Sequence, residues 1–149
     1  MIKLLRRTPK ISGAILFDMD GTLIDSEPLW LKAEIEIMAE VDCVWDQQDQ
    51  INCLGGPAER TERYMQERSN NIKPYGYFIN RLHEVMKSKI ANELELIPNA
   101  LELLKECKES GIKTALVTAS SGDLMRIVLT RFPPKTFDIA VSRDDVKKT

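Results

Sequence analysis

Short apolar runs alternate along this chain with longer segments in which apolar residues recur every three or four positions. The runs at 14–17, 112–117 and 137–141 predict buried β-strands. Strands separated by helical segments are typical of a parallel sheet with right-handed crossovers. The pattern therefore predicts an α/β fold built on a doubly wound parallel sheet of about three strands.

Helical spacing predicts a block of helices between the first strand and the rest of the chain. Ser26 is a candidate cap for the first of these helices, and Pro28 suits its first turn. The predicted helices cover 28–41, 47–54, 57–68 and 75–93. The chain accordingly divides into a helical insert, residues 27–96, and an α/β core formed by residues 1–26 and 97–149.

The core is predicted to resume with a helix that starts at Pro98 and ends at Gly111. Its inward-facing residues are predicted to be Ala100, Leu103, Leu104 and Cys107. A further helix over 121–132 separates the second and third strands. The order of strands and helices in this half supports the doubly wound arrangement.

Composition narrows the class of protein. Of the 149 residues, 43% are hydrophobic and 30% charged, with a net charge of −2, which is typical of a globular domain without nucleic acid or an acidic membrane as partner. The three cysteines show no metal-ligand spacing, so we expect reduced thiols and a cytoplasmic location. No apolar run predicts a transmembrane or secretory segment.

The most informative polar residues follow the first strand directly. Asp18 and Asp20 lie two positions apart at its carboxyl end, where open α/β sheets bind ligands, and Gly21 permits a sharp turn after them. Alternation along a strand turns both carboxylates to the same side. Such a pair suits a site in which one carboxylate attacks, the other transfers a proton and a hard cation offsets their charge. A DxD pair alone is more often a solvated acidic turn.

A second polar segment, residues 118–123, follows the second strand and opens a helix. Ser120 and Asp123 have the spacing of a capping box. Backbone donors at a helix N-terminus attract an anion, and the Thr118 hydroxyl is a candidate donor to a phosphate oxygen. Alone, this pattern is more often a structural cap.

Two segments together resemble motifs I and II of the haloacid dehalogenase-like hydrolases. They are the string DMDGTLIDSE, residues 18–27, and the segment that begins at Thr118. The likeness is to the branch of β-phosphoglucomutase and small sugar-phosphate phosphatases that carries a helical C1 cap. It implies that Asp18 is the nucleophile that forms an aspartyl-phosphate and that Asp20 is the general acid and base. It also implies that the helical insert is this cap.

The function that the resemblance implies is a Mg²⁺-dependent phosphatase of small phosphorylated metabolites, sugar phosphates foremost. Asp18 and the backbone carbonyl of Asp20 are the implied metal ligands. The implied phosphate-binding residues are Gly21, Thr22, Thr118 and Ala119. Two alternatives stay open: a sugar phosphomutase with the same intermediate, and a non-catalytic remnant that binds phosphate or a partner.

The family's later motifs, a lysine and an acidic pair, are not recognisable here. Lys147 and Lys148 are candidates for the lysine, although neither precedes a proline. Asp144-Asp145 is rejected as the acidic pair, because that pair should follow a further strand and helix. We therefore expect a C-terminally incomplete chain, either the first part of a longer protein or a shortened gene product.

An incomplete core has a consequence for the first strand. In family members two later strands lie on its far side. Without them, the edge at Ile15, Leu16 and Phe17 is expected to be exposed, with self-association as the result.

Three residues of the insert are candidates for substrate specificity, because cap loops of this subgroup touch the substrate. They are Gly55, Gly56 and Arg60. An arginine suits a second phosphate or sugar oxygens, although a surface role is favoured for Arg60.

The remaining notable side chains have structural interpretations. His83, the single histidine, is predicted to pack or to lie at the surface. Trp30 and Trp45 are predicted in the cap core or at its contact with the sheet domain. Glu27 fits the first turn of its helix and also lies close enough in sequence to approach the site.

Overall fold

The computed structural model describes residues 13–146, which form a three-stranded parallel sheet, six α-helices and one 3₁₀ turn. The strands are β1 (Ala14–Phe17), β2 (Lys113–Val117) and β3 (Ile139–Val141). They pair in the order β1-β2-β3, and both pairings are parallel. The predicted α/β class and the three predicted strands are confirmed.

The register of the sheet brings the carboxyl ends of its strands together. Phe17 pairs with Leu116, and Val117 pairs with Val141. The residues that follow β1 and β2 therefore leave the sheet side by side. This edge of the sheet is where an open α/β fold forms its ligand site.

β1 is an edge strand, and the prediction that it is buried is wrong. Ile15 is 38% exposed and Leu16 is 66% exposed, whereas Phe17 is buried. Within residues 13–146 β1 pairs with β2 alone, so one side of the strand has no neighbour. The expected exposure of this edge holds for Ile15 and Leu16 but not for Phe17, and self-association through it stays a prediction.

Four helices occupy the segment between β1 and β2 that the sequence predicts as a cap. They are α1 (Glu27–Ala39), α2 (Gln47–Cys53), α3 (Ala58–Arg68) and α4 (Tyr77–Glu93). Helix α4 packs along α1 and α3, and its buried stripe contains Phe78, Leu82, Val85, Met86 and Ile90. Trp45 is buried and meets the Tyr64 ring edge-on, so it belongs to the core of the insert. The division of the chain into two domains stays a prediction.

Helix boundaries differ from the predictions where capping decides them. Asp46 opens α2 with a capping box, in which its carboxylate accepts from the backbone N–H of Asp49 and the Asp49 side chain accepts in return. Pro57 precedes α3 as its N-cap and is not its first helical residue. Helix α4 begins after Gly76, whose φ of +92° cannot continue a helix.

The core helices are α5 (Ala100–Glu109) and α6 (Gly122–Leu129). The predicted start of α5 at Pro98 is wrong, because Asn99 adopts a left-handed φ of +64° and the helix begins after it. Leu103 is 48% exposed and does not face inward as predicted, whereas Leu104 and Cys107 are buried. Across residues 13–146 no helix combines the length and apolarity needed to cross a membrane.

Candidate active site

The two aspartates of the first motif lie directly beyond β1. Asp18 is exposed, and its Oδ1 accepts a hydrogen bond of 2.7 Å from the backbone N–H of Met19. Met19 itself is fully buried, so it anchors the backbone between the two carboxylates. Asp20 is half-buried. Asp18 thus faces solvent, whereas Asp20 is partly covered by protein.

Three hydroxyl groups hold the Asp20 carboxylate. Ser26 Oγ donates to Oδ1 at 2.7 Å, and Ser120 Oγ donates to Oδ2 at 2.8 Å. Thr118 Oγ1 lies 3.4 Å from the same Oδ2 and also accepts from the backbone N–H of Ser120 at 3.0 Å. Each oxygen of Asp20 therefore has a donor, and the donors lie just before α1 and on the loop between β2 and α6.

These contacts correct two predicted helix caps. Ser26 occupies the N-cap position of α1 but makes no side-chain cap, because its hydroxyl donates to Asp20. Ser120 likewise binds Asp20, and the cap of α6 is the next residue, Ser121, which accepts from the backbone N–H of Leu124. The sequence pattern identified residues of the capping type but did not show that the Asp20 carboxylate competes for their hydroxyl groups.

The residues after Asp20 form a tight turn. Gly21 has a φ of +68°, and its backbone N–H donates to the Ile24 carbonyl at 2.9 Å. Thr22 is exposed beside it. Ala119, which follows Thr118 on the neighbouring loop, is exposed too. The four residues assigned to phosphate binding therefore lie on the two loops that flank Asp20.

A cleft of about 990 Å³ opens between these loops and the helical insert. The volume suits a small-molecule ligand. Its core wall includes Asp20, residues 119–121 and Asp144. Its insert wall includes Glu27, Trp30, Glu34, Gly55, Gly56 and His83.

Of the three specificity candidates, the two glycines line the cleft and Arg60 does not. Arg60 is exposed and donates to the backbone carbonyl of Asn52 at 2.7 Å. Its side chain also lies over Gly56, where a Cβ would come within 2.8 Å of Arg60 Cδ. The favoured surface interpretation of Arg60 agrees with this placement.

One face of α1 turns three side chains toward the cleft, and the sequence analysis singled out only two of them. They are Glu27, Trp30 and Glu34, spaced three and four residues apart. Burial, followed by the charges of Asp20 and Asp25, raises the pKa of Glu27.

Glu34 is 4% exposed, and its Oε2 accepts from the indole Nε1 of Trp45 at 3.0 Å. Burial raises its pKa to about 7, and the charges of Glu27 and Asp49 act in the same direction. Cys53, on the same wall, is buried as well. Burial and then the Glu34 charge raise the pKa of its thiol to about 11, so it is no nucleophile at neutral pH.

His83 joins the insert to the core at the rim of the cleft. Its Nε2 lies 2.9 Å from Ser121 Oγ, and one turn later Lys87 forms a 2.7 Å ion pair with Asp123. Both contacts connect α4 with the start of α6. This agrees with the predicted packing role of His83 and adds a hydrogen bond to Ser121 that the sequence context did not indicate.

Among residues 13–146 no group of three or more histidine, cysteine or acidic side chains converges as a metal site. The carboxylates of the rejected acidic pair are engaged within the protein. Asp144 accepts from the backbone N–H of Gly122 at 2.8 Å, and Asp145 accepts from the backbone N–H and hydroxyl of Ser142 at 2.8 and 2.7 Å. The lysine candidates, Lys147 and Lys148, lie outside the described residues.

Comparison with known proteins places this geometry in a family. Residues 15–149 match the model of the haloacid dehalogenase-like hydrolases. Hexitol phosphatase B of Escherichia coli K12 is 30% identical over 140 residues, which are 92% of this chain and 63% of that protein.

Two solved structures have the same fold. A proposed β-phosphoglucomutase from Thermotoga maritima superposes with a TM-score of 0.75 at 28% identity, covering 92% of this chain and 64% of that one. CbbY from Rhodobacter sphaeroides, solved with phosphate, gives a TM-score of 0.70 at 26% identity over 91% and 65% of the two chains. The present chain thus spans somewhat less than two thirds of the length of these relatives.

Proposed function

The chain belongs to the haloacid dehalogenase-like hydrolase family, and we propose that it acts as a phosphatase on small phosphorylated metabolites, sugar phosphates foremost. One observation carries the proposal. An exposed aspartate and a hydroxyl-bound aspartate lie two residues apart at the end of β1 and beside a cleft of metabolite size. The name of its relative, hexitol phosphatase B, supports a sugar or sugar-alcohol phosphate as substrate.

In the proposed reaction Asp18 is the nucleophile. Its exposed carboxylate attacks phosphorus in line, an O–P bond forms to Asp18, and the bond from phosphorus to the leaving oxygen breaks. Asp20 gives a proton to that leaving oxygen. The products of this half-reaction are an alcohol and an aspartyl-phosphate.

The second half-reaction restores the enzyme. Asp20 takes a proton from a water molecule as that water attacks the aspartyl-phosphate, which releases inorganic phosphate and the Asp18 carboxylate. The hydroxyls of Ser26 and Ser120 hold Asp20 at one position through both steps. A fixed general acid and base removes the entropic cost of orienting it at each step.

The candidate ligands at Asp18 and Asp20 are oxygen atoms, the type of ligand that Mg²⁺ prefers. Mg²⁺ is commonly bound by one or two carboxylates, with waters and substrate phosphate completing its shell. The Asp18 carboxylate and the Asp20 backbone carbonyl would hold the ion. When bound, it offsets the negative charge of the phosphoryl group.

Phosphate binding is assigned to the two loops beside Asp20. Thr118 has a hydroxyl on the Asp20 side of its loop, and Ala119 lines the cleft next to it. Gly21 and Thr22 form the opposite loop. The Thr118 hydroxyl accepts from the Ser120 backbone N–H, but as a donor it reaches Asp20 Oδ2 only at an oxygen–oxygen distance of 3.4 Å, so it is the donor that would turn to a phosphate oxygen.

The test compares Asp18→Asn and Asp20→Asn with the parent, using the complete protein and p-nitrophenyl phosphate in the presence of Mg²⁺. Asp18→Asn is expected to abolish both turnover and the acid-stable phosphoenzyme trapped by quenching, because an amide is a poor nucleophile. Asp20→Asn is expected to stop turnover while leaving metal binding largely intact. Asp42→Asn, on an exposed residue of the insert, is the matched control and keeps full activity.

The outcomes separate the proposal from its two alternatives. Turnover retained in Asp18→Asn contradicts the nucleophile assignment. A phosphomutase, favoured by the similarity to the β-phosphoglucomutase structure, would convert a sugar phosphate to its isomer with little free phosphate. If the parent protein binds phosphate but forms no phosphoenzyme, the result supports the second alternative, a non-catalytic remnant.

A further inference from the structure

A buried carboxylate lines the cleft and takes no part in the reaction described above. Glu34 lies on α1, seven residues beyond Glu27, and only 4% of it is exposed. Asp20 lies on the core wall of the same cleft, so Glu34 faces the space left for the part of a substrate that is not the phosphate.

Only one oxygen of Glu34 is engaged. Oε2 accepts from Trp45 Nε1 at 3.0 Å, and the residues of the described chain supply no second donor to Oε1. Three neighbouring side chains on the same wall are buried as well, Gln50, Cys53 and Thr61. Glu34 Oε1 is not among the fully buried atoms without a partner, so it opens to the cleft that Glu34 lines. A carboxylate oxygen placed in this way on an otherwise buried residue is suited to accept a hydrogen bond from a ligand.

We propose that Glu34 determines substrate specificity by accepting a hydrogen bond from a hydroxyl on the end of the substrate away from its phosphate. The inference rests on the proposed phosphatase function and narrows its substrate class. A sugar or sugar-alcohol phosphate supplies the hydroxyl. A substrate that ends in a carboxylate or a second phosphate brings a negative charge to a wall that already holds Glu34 and Glu27, and it is disfavoured.

A purely structural role for Glu34 would be to satisfy the Trp45 indole. A neutral amide oxygen accepts that hydrogen bond equally well, and it avoids the cost of burying a charge. Burial disfavours the ionised form of Glu34, and the pKa of its carboxyl group is raised for that reason. An ionisable acceptor at this position is therefore explained by a ligand rather than by the indole.

Glu34→Gln separates the two roles. The amide keeps an oxygen for Trp45 and replaces the open acceptor with an N–H donor. The measurement is the ratio of kcat/KM for a hexitol 6-phosphate to kcat/KM for p-nitrophenyl phosphate, which has no hydroxyl tail. The ratio is expected to fall about tenfold, mainly through KM for the hexitol phosphate. Glu67→Gln, the same change on an exposed face of α3, keeps the parent ratio.

A ratio that stays within twofold of the parent value overturns the proposal. The proposal is also overturned if the parent protein has a higher kcat/KM for 2-phosphoglycolate than for the hexitol phosphate. If the parent hydrolyses no phosphomonoester, the phosphatase proposal fails, and binding decides on Glu34. In that case hexitol 6-phosphate is titrated into each protein and binding is followed by tryptophan fluorescence. The ligand is expected to bind the parent and to bind Glu34→Gln at least tenfold more weakly. Equal affinities, or no binding to the parent, overturn the inference.

Discussion

Replacing Glu34 with glutamine is expected to stabilise the protein above neutral pH and to have little effect in acid. The unfolded chain loses the Glu34 proton near its ordinary pKa of 4.5, whereas the folded protein loses it at about 7. Between these values the folded state binds more protons, so its stability falls as pH rises. Below about pH 4.5 the protonated acid and the amide are nearly equivalent.

The size of the effect follows from the two pKa values. A rise from 4.5 to about 7 corresponds to about 3 kcal/mol of lost stability once Glu34 is ionised in both states. Because Glu34 is 4% exposed, solvent screens little of this cost. The glutamine variant has no such loss, so the difference between the two proteins is expected to grow by about 2–3 kcal/mol from pH 5 to pH 8.

Urea unfolding followed by tryptophan fluorescence measures this difference, and Trp45 reports on the site directly. Other titrating groups affect parent and variant alike and cancel in the comparison. Glu67→Gln, on an exposed residue, is expected to give a difference that does not depend on pH. Parallel stability curves for the parent and Glu34→Gln between pH 5 and pH 8 would refute the reasoning and show that Glu34 ionises normally.

Three further changes have predictable results. Thr118→Val is expected to weaken binding of phosphate or tungstate by about 1–3 kcal/mol in calorimetric titration, and equal affinities would limit Thr118 to a role within its own loop. Asp46→Ala removes the capping-box acceptor of α2 and is expected to lower the free energy of unfolding by about 1 kcal/mol in urea; an unchanged midpoint would contradict this. Leu16→Lys is expected to reduce self-association in analytical ultracentrifugation by placing a charge on the exposed β1 edge, and a parent chain that is already monomeric would contradict the premise.

The sequence was sufficient for the class of fold because the signals for it are local. Apolar runs of four to six residues, and glycines and prolines between them, located all three strands and six helices of the described chain to within a few residues. The wrong helix caps occur where a more distant group competes for a residue that the local sequence assigns to a cap. Ser26 and Ser120 have the sequence of helix caps, but a carboxylate elsewhere in the chain takes their hydroxyl groups.

Glu34 shows why part of the candidate site could not be predicted from the sequence. Helical spacing puts Glu34 on one face of α1 with Trp30 and Ile37, yet a carboxylate is rarely buried without a partner. The partner is Trp45, which comes from the loop before α2. The contact joins residues eleven positions apart in different elements. No pattern within a single helix predicts such a contact, so the residue was found only from the packing of the insert.

The Asp20 site depends on a register between strands that lie far apart in sequence. The contacts from Asp20 to Thr118 and Ser120 cross 98 and 100 residues of chain, almost all of it the helical insert and α5. They form because Phe17 pairs with Leu116, which makes both loops leave the sheet at the same level. A slip of one residue would move the loops apart by about 3.3 Å and turn the paired side chains to the opposite face. The β1–β2 pairing is thus part of the catalytic machinery that we propose, although none of its residues touches the cleft.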